Sequence, residues 1–347
     1  MMKKKMQGLF VMLVGLLVFT ACGDEASEGN ESGADQPEVV NIGYLRVPND
    51  EMVAKTEGYF DQYFADLGIE TNFVVFDSGV EANQAFASGS VDFASMGNTN
   101  GIIALSRGLD VELIWLHEIL GEIEGLAVRE GSGIEQVADL QGMKIATTFA
   151  STSHYSLLQV LNDAGIADDV ELIDMKTVDI VAAWERGDID AAYTWQPSLG
   201  KLLDGGEMLI SSEQVAEMGH KTANILLARK GFTEQYKDLT TDFIAALVEG
   251  GNLYREDSKT ASEIVANPLE ITPEEALMQM EGSVWLTPEE EISSEYLGTS
   301  EEAGDFSRVM KQTSDFLLEQ GSISESPSQE AFDDFINPEY IEAYLAR

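Results

Sequence analysis

From Val39 onward, short apolar runs alternate with longer stretches in which apolar residues recur every three or four positions. Runs of the first kind predict strands, and stretches of the second predict amphipathic helices. Residues 39–44 read as a first strand. Residues 52–67 read as a helix with Val53, Tyr59, Phe60, Phe64 and Leu67 on its apolar face. A strand over 71–77, a helix over 82–88 and strands over 91–94, 111–115 and 126–128 follow. A second series begins near Val128, with strands over 144–146, 170–173 and 191–194 and helices over 154–164 and 180–187. Residues 225–228 return the chain to the first series, and from Tyr236 the pattern is mostly helical. Thr272-Pro273-Glu274-Glu275 and Thr287-Pro288-Glu289-Glu290 each give a Thr N-cap, a Pro at the first helical position and a Glu at the third. Strands alternating with helices predict an α/β fold with largely parallel sheets. The expected organisation is two hinged lobes, 39–127 with 226–347 and 128–225. Ligands of open α/β sheets bind beyond the carboxyl ends of the strands, so the cleft between lobes is the expected site and hinge closure the expected motion.

The residues before Val39 follow different rules. Lys3, Lys4 and Lys5 precede an apolar stretch over 8–20, shorter than the roughly 20 residues of a membrane span. This is the layout of a secretory signal over 1–21. Phe19-Thr20-Ala21-Cys22 resembles a bacterial lipobox, with Phe19 where a leucine is usual. On that reading Cys22 is the lipidated first residue of the mature chain. The alternative is an ordinary cleaved signal followed by a chance cysteine. Residues 23–38 carry six acids and no large apolar side chain, and so read as a flexible tether.

Composition narrows the function. The chain has 347 residues, enough for two lobes with cores of their own. Its 62 acids against 20 Lys and Arg give a formal charge of −42, which becomes −45 when the three lysines of the signal are removed. Such a chain repels nucleic acid and anionic membrane surfaces, so no nucleic-acid partner is expected. Cys22 is the sole cysteine, and the three histidines, His117, His154 and His220, are scattered. Disulfides within one chain are excluded, and no metal or other cofactor is expected.

The best candidate for binding is the string 147–155, TTFASTSHY, which follows a strand and opens a helix. A helix N-terminus offers unpaired amides and a partial positive charge, and Ser151, Thr152 and Ser153 add hydroxyls. That combination suits a sulfonate, phosphate or carboxylate without any cationic side chain; plain capping accounts for the same residues. Asn98 and Thr99 stand at a second strand-to-helix turn. Trp195, just past a strand end, and Tyr155 are candidate aromatic walls, whereas Trp184 reads as core. Glu124 lies between two strands and could pair with a ligand ammonium, or be simply solvated.

Taken together, the strings FDSG (76–79), ASGSVD (87–92), STSHYSLL (151–158), AAWERGDIDAAYTWQP (182–197) and SEQV (212–215) resemble the substrate-binding proteins of ABC importers for nitrate, sulfonates and taurine, in the taurine-binding branch. VWLTPEEE (284–291) and FLLEQGSI (316–323) are similar as well. The resemblance implies a type II periplasmic-binding fold, taurine or a related small sulfonate as ligand, and a membrane permease with its ATPase as partners. A monomer held to the membrane only by its lipid is the expected state. The family's anion loop falls on Ser151, Thr152 and Tyr155, with Asn98 and Thr99 opposite, its aromatic wall on Trp195 and an acid on Glu124. Two acids of the taurine branch are replaced, by Asn224 in the returning strand and by Asn49 near the N-terminal turn, and Leu226 stands for an aromatic. Glu124 is then expected to supply most of the charge facing an ammonium. A zwitterion is neither strongly steered nor repelled by the field of this chain, whereas a bare anion approaches against it. An alkanesulfonate or another small anion is the alternative ligand. An enzyme on the same scaffold, such as a pyrimidine-forming one, and an extracellular sensor are the alternative classes.

Overall fold

The computed structural model describes Gln36–Arg347. The expected signal, Cys22 and nearly all of the acidic tether lie outside the described residues. The strands are β1 (Val39–Leu45), β2 (Glu70–Phe76), β3 (Phe93–Gly97), β4 (Val111–Leu120), β5 (Glu124–Arg129), β6 (Lys144–Thr147), β7 (Glu171–Asp174), β8 (Ala191–Trp195), β9 (Gly206–Ser211), β10 (Ala223–Arg229) and β11 (Ser283–Val284). They form two sheets, ordered β11-β4-β10-β3-β1-β2 and β7-β6-β8-β5-β9. Both sheets are built alike. β1 pairs in parallel with β2 and β3, and β6 with β7 and β8. One antiparallel strand is then inserted, β10 between β3 and β4, and β5 between β8 and β9.

Those two inserted strands correct the lobe boundaries read from the sequence. The crossings fall between β4 and β5 and between β9 and β10, not at 127/128 and 225/226. β5 pairs along its length with β8 and β9 and so belongs wholly to the second sheet, while Asn224 and Ile225 pair with the first. An apolar run looks the same whichever sheet it joins, so the expected boundaries cut through β5 and β10. The helix expected over 52–67 is also broken. Gly58, at φ 74°, ends helix Asp50–Glu57 and starts helix Tyr59–Phe64; a positive φ costs glycine nothing. Both Thr-Pro-Glu-Glu strings form capping boxes, Thr272 with Glu275 and Thr287 with Glu290.

Alternation along β5 shows how the second sheet is covered. Leu126 and Val128 pack with Leu157, Val160 and Leu161 of helix Thr152–Asp163. Ala127, pointing the other way, packs with Ile180, Ala183 and Trp184 of helix Thr177–Arg186. Successive strand side chains face opposite sides, so one strand serves two helical layers. Trp184 is buried in that layer, as expected, with Arg129 stacked 4.2 Å from its ring centre. The first sheet has the larger core, where Phe93 stacks on Phe243 of the 20-residue helix Lys237–Glu256 at 4.1 Å and Phe60 lies 4.7 Å from Phe243. Pro37–Arg347 forms one compact unit, and no helix among the described residues is long and apolar enough to cross a membrane.

Candidate functional site

A cleft with about 520 Å³ of empty space, partly open to solvent, lies between the two sheets. Its walls come from the carboxyl ends of the parallel strands: Leu45 and Val47 after β1, Ser78–Val80 after β2, Gly97 at the end of β3, Thr148–Thr152 after β6 and Trp195 at the end of β8. Leu120, Ile123, Glu124 and Asn224 close it from the crossing segments, and Asn100 completes the wall. None of the lining residues is Lys, Arg or His, and Glu124 is the ionisable one among them.

Two helix N-termini open into this cleft. In helix Thr152–Asp163, Ser151 is the N-cap; its Oγ accepts from the His154 amide at 3.1 Å and donates to the Thr148 carbonyl at 2.6 Å. Among the described residues nothing accepts from the amides of Thr152 or Ser153. The second is helix Gly79–Ser88. Its N-cap Ser78 lines the cleft and makes no side-chain cap bond, and the amides of Gly79 and Val80 are likewise without acceptors among the described residues. Each helix thus turns free N–H groups and the positive end of its dipole toward the same space. Apolar surface from Leu45, Val47, Leu120, Ile123, Phe149 and Trp195 fills in around them.

Glu124 is 1% exposed and saturated by hydroxyls. Thr152 donates to Oε2 at 2.6 Å, Ser153 to Oε2 at 2.8 Å and Ser212 to Oε1 at 2.7 Å. Burial pushes its carboxyl up, and these three bonds pull it back. Its work is to lock the helix start against β5 and the segment after β9. His154 is neutral at physiological pH, because burial lowers it to about 4 despite nearby Asp174. Its ring stacks on Phe149 at 4.4 Å and so braces the loop.

Of the residues expected at the site, Ser151, Thr152, Glu124, Trp195 and Asn224 line the cleft, and Asn98, Thr99, Tyr155 and Asn49 do not. Asn98 and Thr99 are fully buried inside the first lobe, where Asn98 Oδ1 accepts from the Ala223 amide at 3.3 Å. Their neighbour Asn100 takes the cleft position, and its Nδ2 donates across the lobes to the Ala150 carbonyl at 2.8 Å. Tyr155 sits one turn along its helix and packs edge-on against Phe316, 5.5 Å between centres. Asn49 caps helix Asp50–Glu57, its Oδ1 accepting from the Met52 amide at 3.1 Å. Sequence reading passed over Ser78–Val80. The signal was there in FDSG, a Ser just after a strand and ahead of a helix, the same grammar as Ser151.

A buried polar cluster behind β10 was also unforeseen. His117 Nδ1 lies 2.6 Å from Asp50 Oδ1, and its Nε2 lies 2.8 Å from Ser95 Oγ. The order Asp–His–Ser resembles a nucleophile relay, but Ser95 is buried, donates to Glu51 at 2.5 Å and does not line the cleft. Trp115 Nε1 donates to Asp50 at 2.6 Å, and the Leu116 amide donates to Glu291 at 3.0 Å. Burial pushes Glu51 and Glu118 up to about 7 each and Glu291 well above its ordinary value. Burial opposes charge on His117, yet the Asp50 carboxylate beside it holds the ring up at about 9.

The lobes meet at the cleft mouth. Lys176, at the N-cap of helix Thr177–Arg186, reaches Glu81 at 3.0 Å and Asp77 at 3.6 Å. A Cβ on Gly97 would come within 2.7 Å of Thr152 Cγ2, so a glycine there lets the lobes approach.

The buried cluster sets a pH dependence. Glu51, Glu118 and His117 all bind protons more tightly folded than unfolded, so their contribution is full at low pH and is lost as pH rises through about 7 and then about 9. Thermal melts of the native chain between roughly pH 5 and pH 9 are expected to show a falling midpoint, and Glu51→Gln is expected to flatten the fall. A midpoint that rises across that window contradicts the assignment.

Comparison with known proteins agrees with this architecture. Residues 51–261 match the family model described as NMT1/THI5 like. The taurine-binding periplasmic protein of Escherichia coli is 30% identical over 82% of this chain and 87% of its own length. A putative aliphatic sulfonates-binding protein of Bacillus subtilis is 27% identical over 77% of this chain and 82% of its own. Among solved structures, the alkanesulfonate-binding protein from Xanthomonas axonopodis pv. citri, bound to MOPS, superposes with a TM-score of 0.70 at 20% identity, covering 85% of this chain and 96% of that one. The two-sheet fold with its inserted strands is therefore the periplasmic-binding fold, and the chain belongs to the NMT1/THI5-like family.

Proposed function

We propose that this chain is the extracytoplasmic, lipid-anchored substrate-binding protein of an ABC importer, and that it captures taurine by lobe closure and hands it to a permease driven by an ATPase. The observation that carries this reading is the pair of helix N-termini, at Ser78–Val80 and Ser151–Ser153, aimed into one interlobe cleft without a cationic side chain. Uncharged amides and hydroxyls can replace the hydration of an oxyanion head group. The apolar wall of Leu45, Val47, Leu120, Ile123, Phe149 and Trp195 suits a short alkyl chain behind it. The relatives named for taurine and for aliphatic sulfonates support the ligand class.

The proposed mechanism is binding without chemistry. The ligand enters the open cleft and its sulfonate settles on the amides of the second lobe. The first lobe then closes over it, with Asn100 meeting Ala150 and Lys176 meeting Glu81. Both halves of the cleft come from one chain, so a monomer suffices. A ligand that binds only the folded state must raise the melting temperature.

Titration calorimetry with taurine, ethanesulfonate, sulfate and nitrate tests the ligand, and taurine is expected to bind tightest. Tight ethanesulfonate binding without taurine binding gives the site to alkanesulfonates, and a covalent adduct or a released product makes the chain an enzyme. Gly97→Val is expected to weaken binding by at least about tenfold by holding the lobes apart, at a stability cost of about 1 kcal/mol or less. Unchanged affinity removes closure from the mechanism. For the anchor, Cys22→Ala expressed in a bacterial host is expected to shift the chain from the membrane fraction to the soluble one.

A further inference from the structure

Asn224, a residue of the cleft wall, is held by a buried carboxylate, Glu118. Asn224 and Glu118 are paired across β10 and β4, and Asn224 Nδ2 donates to Glu118 Oε1 at 2.5 Å. The Asn49 side chain lies near the same carboxyl while its Oδ1 caps helix Asp50–Glu57. Glu118 is 1% exposed, and its Oε2 has no hydrogen-bond partner among the described residues. With Nδ2 committed to Glu118, Asn224 Oδ1 is the acceptor left at the cleft wall, where Asn224 is a lining residue.

We infer that Glu118 determines specificity, selecting ligands that carry an ammonium by holding Asn224 with its oxygen toward the cleft and by placing an anion one hydrogen bond behind it. Glu124, expected to play that part, is committed to three hydroxyls. An ammonium brought to Asn224 would be held by the carboxamide oxygen and by the field of Glu118 in a site of low dielectric. Glu118 is a positioning residue, and the inference rests on the sulfonate-binding reading. Facing Glu118 are the His117 ring from its own strand and Asp50 from the helix after Asn49, with Glu51 and Glu291 completing the cluster. Burial holds Glu118 at about 7, so its anion forms within the physiological range.

Calorimetry with taurine and ethanesulfonate on the full mature chain tests this, since the two differ in the ammonium. The native chain is expected to prefer taurine, with taurine affinity rising between about pH 6 and about pH 8 and ethanesulfonate affinity flat. Glu118→Gln, which keeps a hydrogen-bonding oxygen and removes the charge, is expected to weaken taurine by about tenfold or more and leave ethanesulfonate within about twofold. Adding Asn224→Asp to that variant returns a carboxylate to the same wall and is expected to restore taurine. Equal weakening of both ligands, or of neither, overturns the role of Glu118 and leaves sulfonate binding standing, as does a native chain that prefers ethanesulfonate or has a flat taurine profile. A native chain that binds neither compound overturns the sulfonate reading itself. Should Glu118→Gln fail to fold, the ligand preference and pH profile of the native chain decide the matter alone.

Discussion

The proposed function turns on one constraint, that of holding an anion in a chain of formal charge −42 without a cation in the cleft. Backbone amides at helix starts meet it. They carry partial positive charge fixed in direction, and they add no side chain for the surrounding acids to neutralise. The geometry follows from two sheets built on one plan. In each lobe a parallel strand runs into a serine-capped turn and then a helix, β2 into Ser78 and β6 into Ser151. The chain crosses between the sheets twice, from β4 to β5 and from β9 to β10, and those helix starts line the same gap.

Buried carboxylates in this protein organise the site from behind. Glu124 spends its lone pairs on Thr152, Ser153 and Ser212, which fixes the helix start while keeping its charge away from the amides. Asp50, Glu51 and Glu118 are grouped around His117, and Glu291 accepts from the neighbouring Leu116 amide. Removing one member of such a network strands the others in a low dielectric, which is why its protonation reaches into stability. The same network touches the cleft at Asn224.

Much of the fold was legible because apolar periodicity survives in single strands and helices. The strands at β1, β2, β6, β7 and β8 lie within a residue or two of their expected spans, and both Thr-Pro-Glu-Glu helix starts formed. The lobe boundaries were misplaced because hydrophobicity does not record which sheet a crossing strand joins. At the site, the serine loop and Trp195 were readable from local grammar. Asn98 and Thr99 obeyed the same grammar, but the next residue, Asn100, carries the cleft contact, and a turn motif does not tell which of three adjacent side chains faces out. The link of Glu118 and Asn224 joins residues far apart in the chain, and the pairing of β4 with β10 brings them together.

The most direct test of the account is the amide spectrum of the nitrogen-15-labelled mature chain titrated with taurine. The amides of Gly79, Val80, Thr152 and Ser153 are expected to shift most and to move downfield as they take up hydrogen bonds to the sulfonate. Shifts concentrated away from both helix starts, with these four amides unmoved at saturation, would contradict the claim that paired helix N-termini hold the anion.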